Sequence, residues 1–256
     1  MISPAASSSR MRWPSLRGPG VRSSNSTLKS CRSRPIVSAS ASIARRTERS
    51  RDGSSAIGVN INTMRQVIYS MGVSLDGFIA GPDGEIDWTA PDEELHRFHN
   101  EQTRELGGHL LGRRLYEEMA YWDTVDESSS LPEHELEFAR IWKQLPKIVF
   151  SRTLESVGGN ARLVKDNIAE EAARLKEAAG KDLAVGGAGL AAELVSLDLI
   201  DELRPFVYPA VVGGGTPYLP RMEERIGLRL VETRTFGSGV VYLRYQRTEP
   251  SAGGTA

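Results

Sequence analysis

Gly186, Gly187 and Gly189 follow directly on the apolar run Leu183–Val185. A helical pattern opens at Ala188 and runs to Leu199, with Leu190, Leu194 and Leu197 spaced for one face. Strand, glycine turn and helix in that order bring backbone N–H groups and a helix N-terminus up to a phosphate. The reading is a unit that holds the phosphates of a cofactor. The dinucleotide fingerprint G-x-G-x-x-G is met only as G-x-G-x-x-A, over Gly187 to Ala192. Tight turns and close helix–sheet packing are the competing account. A second cluster, Gly213-Gly214-Gly215, closes the next apolar run, Leu203–Val212.

Two arginine clusters also follow predicted strands: Gly112-Arg113-Arg114 and Ser151-Arg152-Thr153. In a largely parallel sheet the carboxyl ends of strands share one edge, and ligands bind there. Arginine donors and backbone N–H groups at that edge suit a phosphorylated ligand. The plainer account of each arginine is an exposed loop charge. Asp76 follows the first strand, two residues after Ser74 and just before Gly77. It is suited to orienting a substrate by accepting its N–H groups or to relaying a proton, and equally to capping its own loop. Trp88 is suited to stacking on a flat ring or to half-burial in the core.

His96 and His99 lie three apart on a predicted helix. The only cysteine is Cys31, and no His-Glu-x-x-His run occurs, so no metal site is expected. Neither G-x-S-x-G nor G-x-x-x-x-G-K-[ST] is present, which disfavours a serine hydrolase and a P-loop nucleotide triphosphatase. Hydride transfer from a reducing cofactor fits better, because it needs orientation and exclusion of water more than a reactive side chain.

The elements that must position these residues alternate. Strands are expected at Gln66–Ser74, His109–Leu111, Pro146–Phe150, Ala161–Val164 and Leu183–Val185. Helices are expected from Pro91 to Leu106, at Leu115–Ala120, Glu135–Leu145 and Asn167–Ala179, with residues 123–134 an exposed polar loop. Leu228–Phe236 and Val240–Gln246 form a hairpin around Gly237-Ser238-Gly239. The pattern is an α/β domain with a mixed sheet flanked by helices.

Charge divides the chain. Residues 1–64 carry 11 Arg or Lys, 2 acids and 16 Ser, whereas residues 65–256 carry 21 basic and 31 acidic residues. The expectation is a disordered basic tail over 1–64, one domain over 65–248 and a loose end over 249–256. The tail reads as a plain tail, a targeting segment, or sequence upstream of a start at Met64. An acidic body argues against a general nucleic-acid surface, and no apolar run of membrane-spanning length occurs.

Taken together, Ser74-Leu-Asp-Gly-Phe-Ile-Ala80, Gly112-Arg-Arg-Leu-Tyr-Glu117, Val149-Phe-Ser-Arg-Thr-Leu154, Val185-Gly-Gly187, Leu199-Ile-Asp-Glu-Leu203 and Pro209-Ala-Val-Val-Gly-Gly-Gly215 resemble a known family. Residues 65–247 resemble the dihydrofolate-reductase-like fold, specifically the reductase domain of the bacterial riboflavin-biosynthesis deaminase-reductase and its stand-alone relatives. The resemblance implies a three-layer sandwich with a mostly parallel sheet and a C-terminal antiparallel hairpin. It also implies NADPH as hydride donor, a small-molecule substrate, a cytoplasmic location and, as an open question, a homodimer. By position, Gly112 and Arg113 would help hold the cofactor, and Ser151 and Arg152 would lie near its ribose phosphate. Gly186, Gly187, Ala188 and Gly189 would meet the pyrophosphate. Ser74, Asp76 and Gly77 would border the nicotinamide and substrate region; Trp88 is a substrate-side candidate from its residue type, not from the resemblance. The family's zinc deaminase domain has no counterpart here. Two readings compete with a reductase of a pterin-like or ribosylated aminopyrimidine compound: a non-catalytic dinucleotide-binding module, and an α/β domain whose pocket has decayed.

Overall fold

The computed structural model describes residues 64–248; the expectations for the basic tail and for the last eight residues lie outside the described residues. Among the described residues there are ten strands: β1 Val67–Ser74, β2 Phe78–Ala80, β3 Gly108–Gly112, β4 Lys147–Phe150, β5 Ala161–Val164, β6 Leu183–Gly186, β7 Glu202–Tyr208, β8 Thr216–Pro217, β9 Leu228–Thr235 and β10 Val241–Arg247. Six helices accompany them: α1 Glu93–Arg104, α2 Arg113–Met119, α3 Tyr121–Thr124, α4 Glu133–Gln144, α5 Ile168–Glu177 and α6 Ala188–Ser196.

Eight strands make one sheet in the order β5-β4-β3-β6-β1-β7-β10-β9. From β5 to β7 all neighbours are parallel, and β10 and β9 close the sheet as an antiparallel hairpin. β2 and β8 pair separately. Alternation along each strand builds the layers, since successive side chains point to opposite faces. Leu110, Ile148 and Phe150 face a core shared with Ala172, Leu175, Leu190 and Leu194 of α5 and α6. Leu111 and Val149 face the other way, against Tyr116, Trp122 and Trp142. Beyond them α1 sets Leu95 and Phe98 against Phe206 and Tyr242. The result is the expected three-layer α/β sandwich.

Local chemistry sets the boundaries. The Asp92 side chain accepts from the Leu95 N–H at 2.9 Å and starts α1 two residues after Pro91. The helix expected to reach Leu199 stops at Ser196, because Asp198 turns the chain with φ 61°. The run Leu203–Val212 is strand only to Tyr208, where Pro209 follows. Part of the expected loop over 123–134 is ordered instead. Trp122 is buried with its ring centroid 4.9 Å from that of Phe138, which fixes α3, and Pro132 caps α4 two residues earlier than expected. Among the described residues no helix is long and apolar enough to cross a membrane.

Candidate active site

Because β1, β3, β4, β6 and β7 run parallel, their carboxyl ends lie on one edge. The register brings Leu111 opposite Gly186 and Gly112 opposite Phe150. Gly112, Ser151 and Gly187 are thus the first residues past, or the last within, three neighbouring strands. A Cβ on Gly187 would stand 3.6 Å from the Gly112 Cα, so these turns lie against each other. Gly187 also has φ 100°, a conformation that glycine adopts without strain.

Gly187 precedes α6, and no side chain caps that helix. The first N–H groups of a helix have no intrahelical partner. Here those of Ala188 and Gly189 are left for solvent or a ligand, and nothing lies within 4 Å of the position a Gly189 Cβ would take. The arrangement fits a phosphate group: N–H donors without an intrahelical partner, the positive end of a helix, and open space beside Gly189.

The two arginines differ. Arg113 bonds Glu117 on its own helix at 3.1 and 3.2 Å, whereas Arg152 is exposed and makes no ion pair among the described residues. Ser151 is buried, and its hydroxyl accepts from the N–H groups of Thr153 and Leu154 at 3.2 and 3.1 Å. Ser151 therefore shapes the turn that presents Arg152.

The second half of the edge lies where β1 and β7 end. The buried Ser74 hydroxyl donates to the Asp76 carboxylate at 2.7 Å and accepts from the Phe78 N–H at 3.0 Å. Asp76 also accepts from the backbone N–H groups of Val212 and Gly213, at 3.2 and 2.7 Å. The Ser74 bond first, and those two amides after it, hold the Asp76 carboxyl below its ordinary value. Gly77, with φ 92°, lets the chain turn, and its carbonyl accepts from the Tyr218 N–H at 2.9 Å. Trp88 sits half-buried in a 3₁₀ turn, its ring edge-on to Tyr208 with centroids 5.8 Å apart.

The structure thus gathers the expected residues into two neighbouring groups. Gly112, Arg113, Ser151, Arg152 and Gly186–Gly189 lie at the ends of β3, β4 and β6. Ser74, Asp76 and Gly77, with Trp88 nearby, lie at the ends of β1 and β7. Tyr208 and the Val212–Gly213 amides join the second group and were not singled out in the sequence. The glycine triplet was the one visible signal for them.

A largely parallel sheet between two helical layers, closed by a hairpin and carrying an uncapped helix at its carboxyl edge, defines a dihydrofolate-reductase-like α/β protein. The chain belongs to the family described as the RibD C-terminal domain, whose model matches residues 65–242. It is 36% identical over 182 residues to the uncharacterized protein YyaP of Bacillus subtilis (strain 168), covering 71% of this chain and 94% of that one. It is 30% identical over 186 residues to the uncharacterized protein YwjB of the same organism, covering 72% and 98%.

Solved structures share the fold. A putative riboflavin biosynthesis protein from Shewanella sp. PV-4 superposes with TM-score 0.57 at 22% identity, over 72% of this chain and 99% of that one. The deaminase and 5-amino-6-(5-phosphoribosylamino)uracil reductase of Thermotoga maritima gives 0.53 at 17% identity, over 72% and 57%. Dihydrofolate reductase from Enterococcus faecalis, complexed with NADP(H), gives 0.50 at 17% identity, over 72% and 97%.

Proposed function

We propose that this protein is an NADPH-dependent reductase of a small heterocyclic compound, pterin-like or a ribosylated aminopyrimidine. The observation that carries the reading is the uncapped N-terminus of α6 behind Gly187, with open space at Gly189, on the same edge as Arg152, which makes no ion pair among the described residues. A dinucleotide with an additional ribose phosphate matches both features: N–H donors for the pyrophosphate and a guanidinium for the extra phosphate. Family membership and the reductases among proteins of the same fold support the same class of reaction.

NADPH, when bound, supplies the hydride. The chain's residues do the rest. Gly186, Gly187, Ala188 and Gly189 would hold the pyrophosphate through their backbone. Gly112 and Arg113 would help hold the cofactor, and Ser151 sets the turn from which Arg152 would meet the ribose phosphate. Ser74, Gly77 and Trp88 border the substrate. Asp76, held ionised by Ser74 and two amides, is a positioning residue that fixes the loop beside the substrate. Water or a polar group near Asp76 would supply the proton.

The test is a fluorescence titration of the full chain with NADPH and NADH, alongside Arg152→Ala. The expected result is tighter binding of NADPH, weakened about tenfold by the substitution while NADH is unaffected, as loss of one charge-assisted contact implies. Turnover is then screened on pterins, aminopyrimidine ribosides and simple carbonyls. Failure to bind either nucleotide would overturn the reading; binding without turnover on any compound would favour a non-catalytic module.

A further inference from the structure

We propose that the amino edge of the sheet holds a second ligand site, for a small aromatic carboxylate. Four parallel neighbours start there: β3 just after Gly107, β4 at Lys147, β5 at Ala161 and β6 at Leu183. These residues line a cavity of about 430 Å³. Concave spaces of this size take small molecules. The cavity lies at the opposite end of the strands from Gly112, Ser151 and Gly187, so it is separate from the edge proposed for the cofactor.

The floor of the cavity is apolar. Ile148 and Leu183 come from the sheet and Leu175 from α5, all in the core on the face that carries that helix. The charged residues of the lining are all basic: Arg65, Lys147, Arg162 and Arg174. Lys147 turns its amine to the other face, 3.6 Å from Asp123 and over the Trp142 ring. The three arginines therefore set the charge of the cavity.

Those arginines are held in place with positive charge to spare. Arg162 and Arg174 share one carboxylate, that of Glu171, so one anion faces two guanidinium groups. The Arg65 guanidinium donates to the Lys181 carbonyl at 2.6 Å. A Cβ at Gly107 would collide with that guanidinium, so glycine makes room for it in the cavity wall. Asp182 attracts Arg65, but its carboxylate is engaged by the Gln66 N–H at 2.8 Å. The Lys176 carbonyl, at the end of α5, is taken up by the Arg65 N–H at 3.0 Å. Guanidinium groups at the mouth recognise a carboxylate through paired N–H donors. The apolar floor takes the ring that carries it. The inference stands independently of the reductase reading.

Titration of the full chain with naphthoate, followed by nuclear magnetic resonance, tests it. Saturable shifts are expected at the amides of Gly107, Ala161 and Leu183, and none at Gly112, Gly187 and Gly189. Inorganic phosphate carries charge without the ring, and naphthol the ring without the charge. Each is expected to bind at least about tenfold more weakly than naphthoate. Arg162→Ala and Arg174→Ala, made together, are expected to weaken naphthoate by a similar factor. If the double variant does not fold, Arg174→Ala alone decides, since Arg174 is exposed; weaker binding supports the site and unchanged binding overturns it. Absence of saturable shifts overturns the proposal, and so do shifts confined to Gly112, Gly187 and Gly189. Equal affinity for naphthol or for phosphate, or full affinity in the folded double variant, overturns it too.

Discussion

Asp76 bonds the backbone N–H of Gly213 at 2.7 Å across 137 positions of sequence. One short turn after β1 therefore holds the glycine triplet after β7. Substituting Asp76 with Ala frees that triplet. The expected loss in kcat/KM on any substrate found is tenfold to about a hundredfold, the scale of a small misplacement of a positioning group. Amide exchange at Val212 and Gly213 should quicken in the same variant. Unchanged exchange there would remove the loop-clamp role.

Gly189→Asp separates binding from folding. The added carboxylate enters open space at the start of α6, where a negative charge favours the helix. Thermal stability is expected to hold or rise slightly, while affinity for NADPH falls at least about tenfold through repulsion of the phosphate. Retained affinity would argue that the phosphate lies elsewhere.

Glu202 is fully buried and serves two arginines. Burial pushes its carboxyl up, yet Arg244, Gln246 and Arg204 together outweigh burial and hold it below its ordinary value. Glu202→Ala leaves two guanidinium groups without their anion and is expected to cost about 3–5 kcal/mol in urea unfolding. A loss under about 1 kcal/mol would show that water replaces the carboxylate.

Acid should destabilise the fold through its histidines. Burial, with His134, His96 and Lys147 as the respective second causes, holds His96, His99 and His109 at about 4. The unfolded chain takes up these protons near pH 6.5 and the folded chain only near 4, so stability is full above about 6.5 and falls between the two. Each histidine contributes at most about 1.4 kcal/mol per pH unit in that window. Melting temperatures followed from pH 7.5 to 4.5 should decline, and less steeply in His109→Gln. A flat profile would contradict the burial of these rings.

Much of the layering was legible. Leu110 and Leu111 are adjacent and apolar, and so are Ile148, Val149 and Phe150; such runs mark strands buried on both faces. The strand, glycine turn and helix around Gly187 could be read because they are local. Partnerships across the sheet could not be. Nothing in the spacing of Asp76 and Gly213 records that β1 and β7 are neighbours. β2 and β8, of three and two residues, are too short to carry a period. Trp122 stands just before the polar stretch 123–134, and it packs on Phe138 from another helix. The pairing of Arg113 with Glu117 depends on α2 starting at Arg113, two residues before the expected Leu115, and the lack of an ion pair at Arg152 among the described residues depends on what surrounds it.

The position of β1 has a consequence for biosynthesis. Val67 pairs with Leu183, and Ile68 pairs with both Ala184 and Glu202, so the first strand of the domain lies between two strands made more than a hundred residues later. On the ribosome β1 emerges early and waits for β6 and β7 before either of its edges is closed. Such long-range pairing slows folding and leaves a sticky strand exposed meanwhile. The first of the described strands to be synthesised is thus among the last to be enclosed, and nascent chains shorter than about Tyr208 should be the ones that chaperones hold.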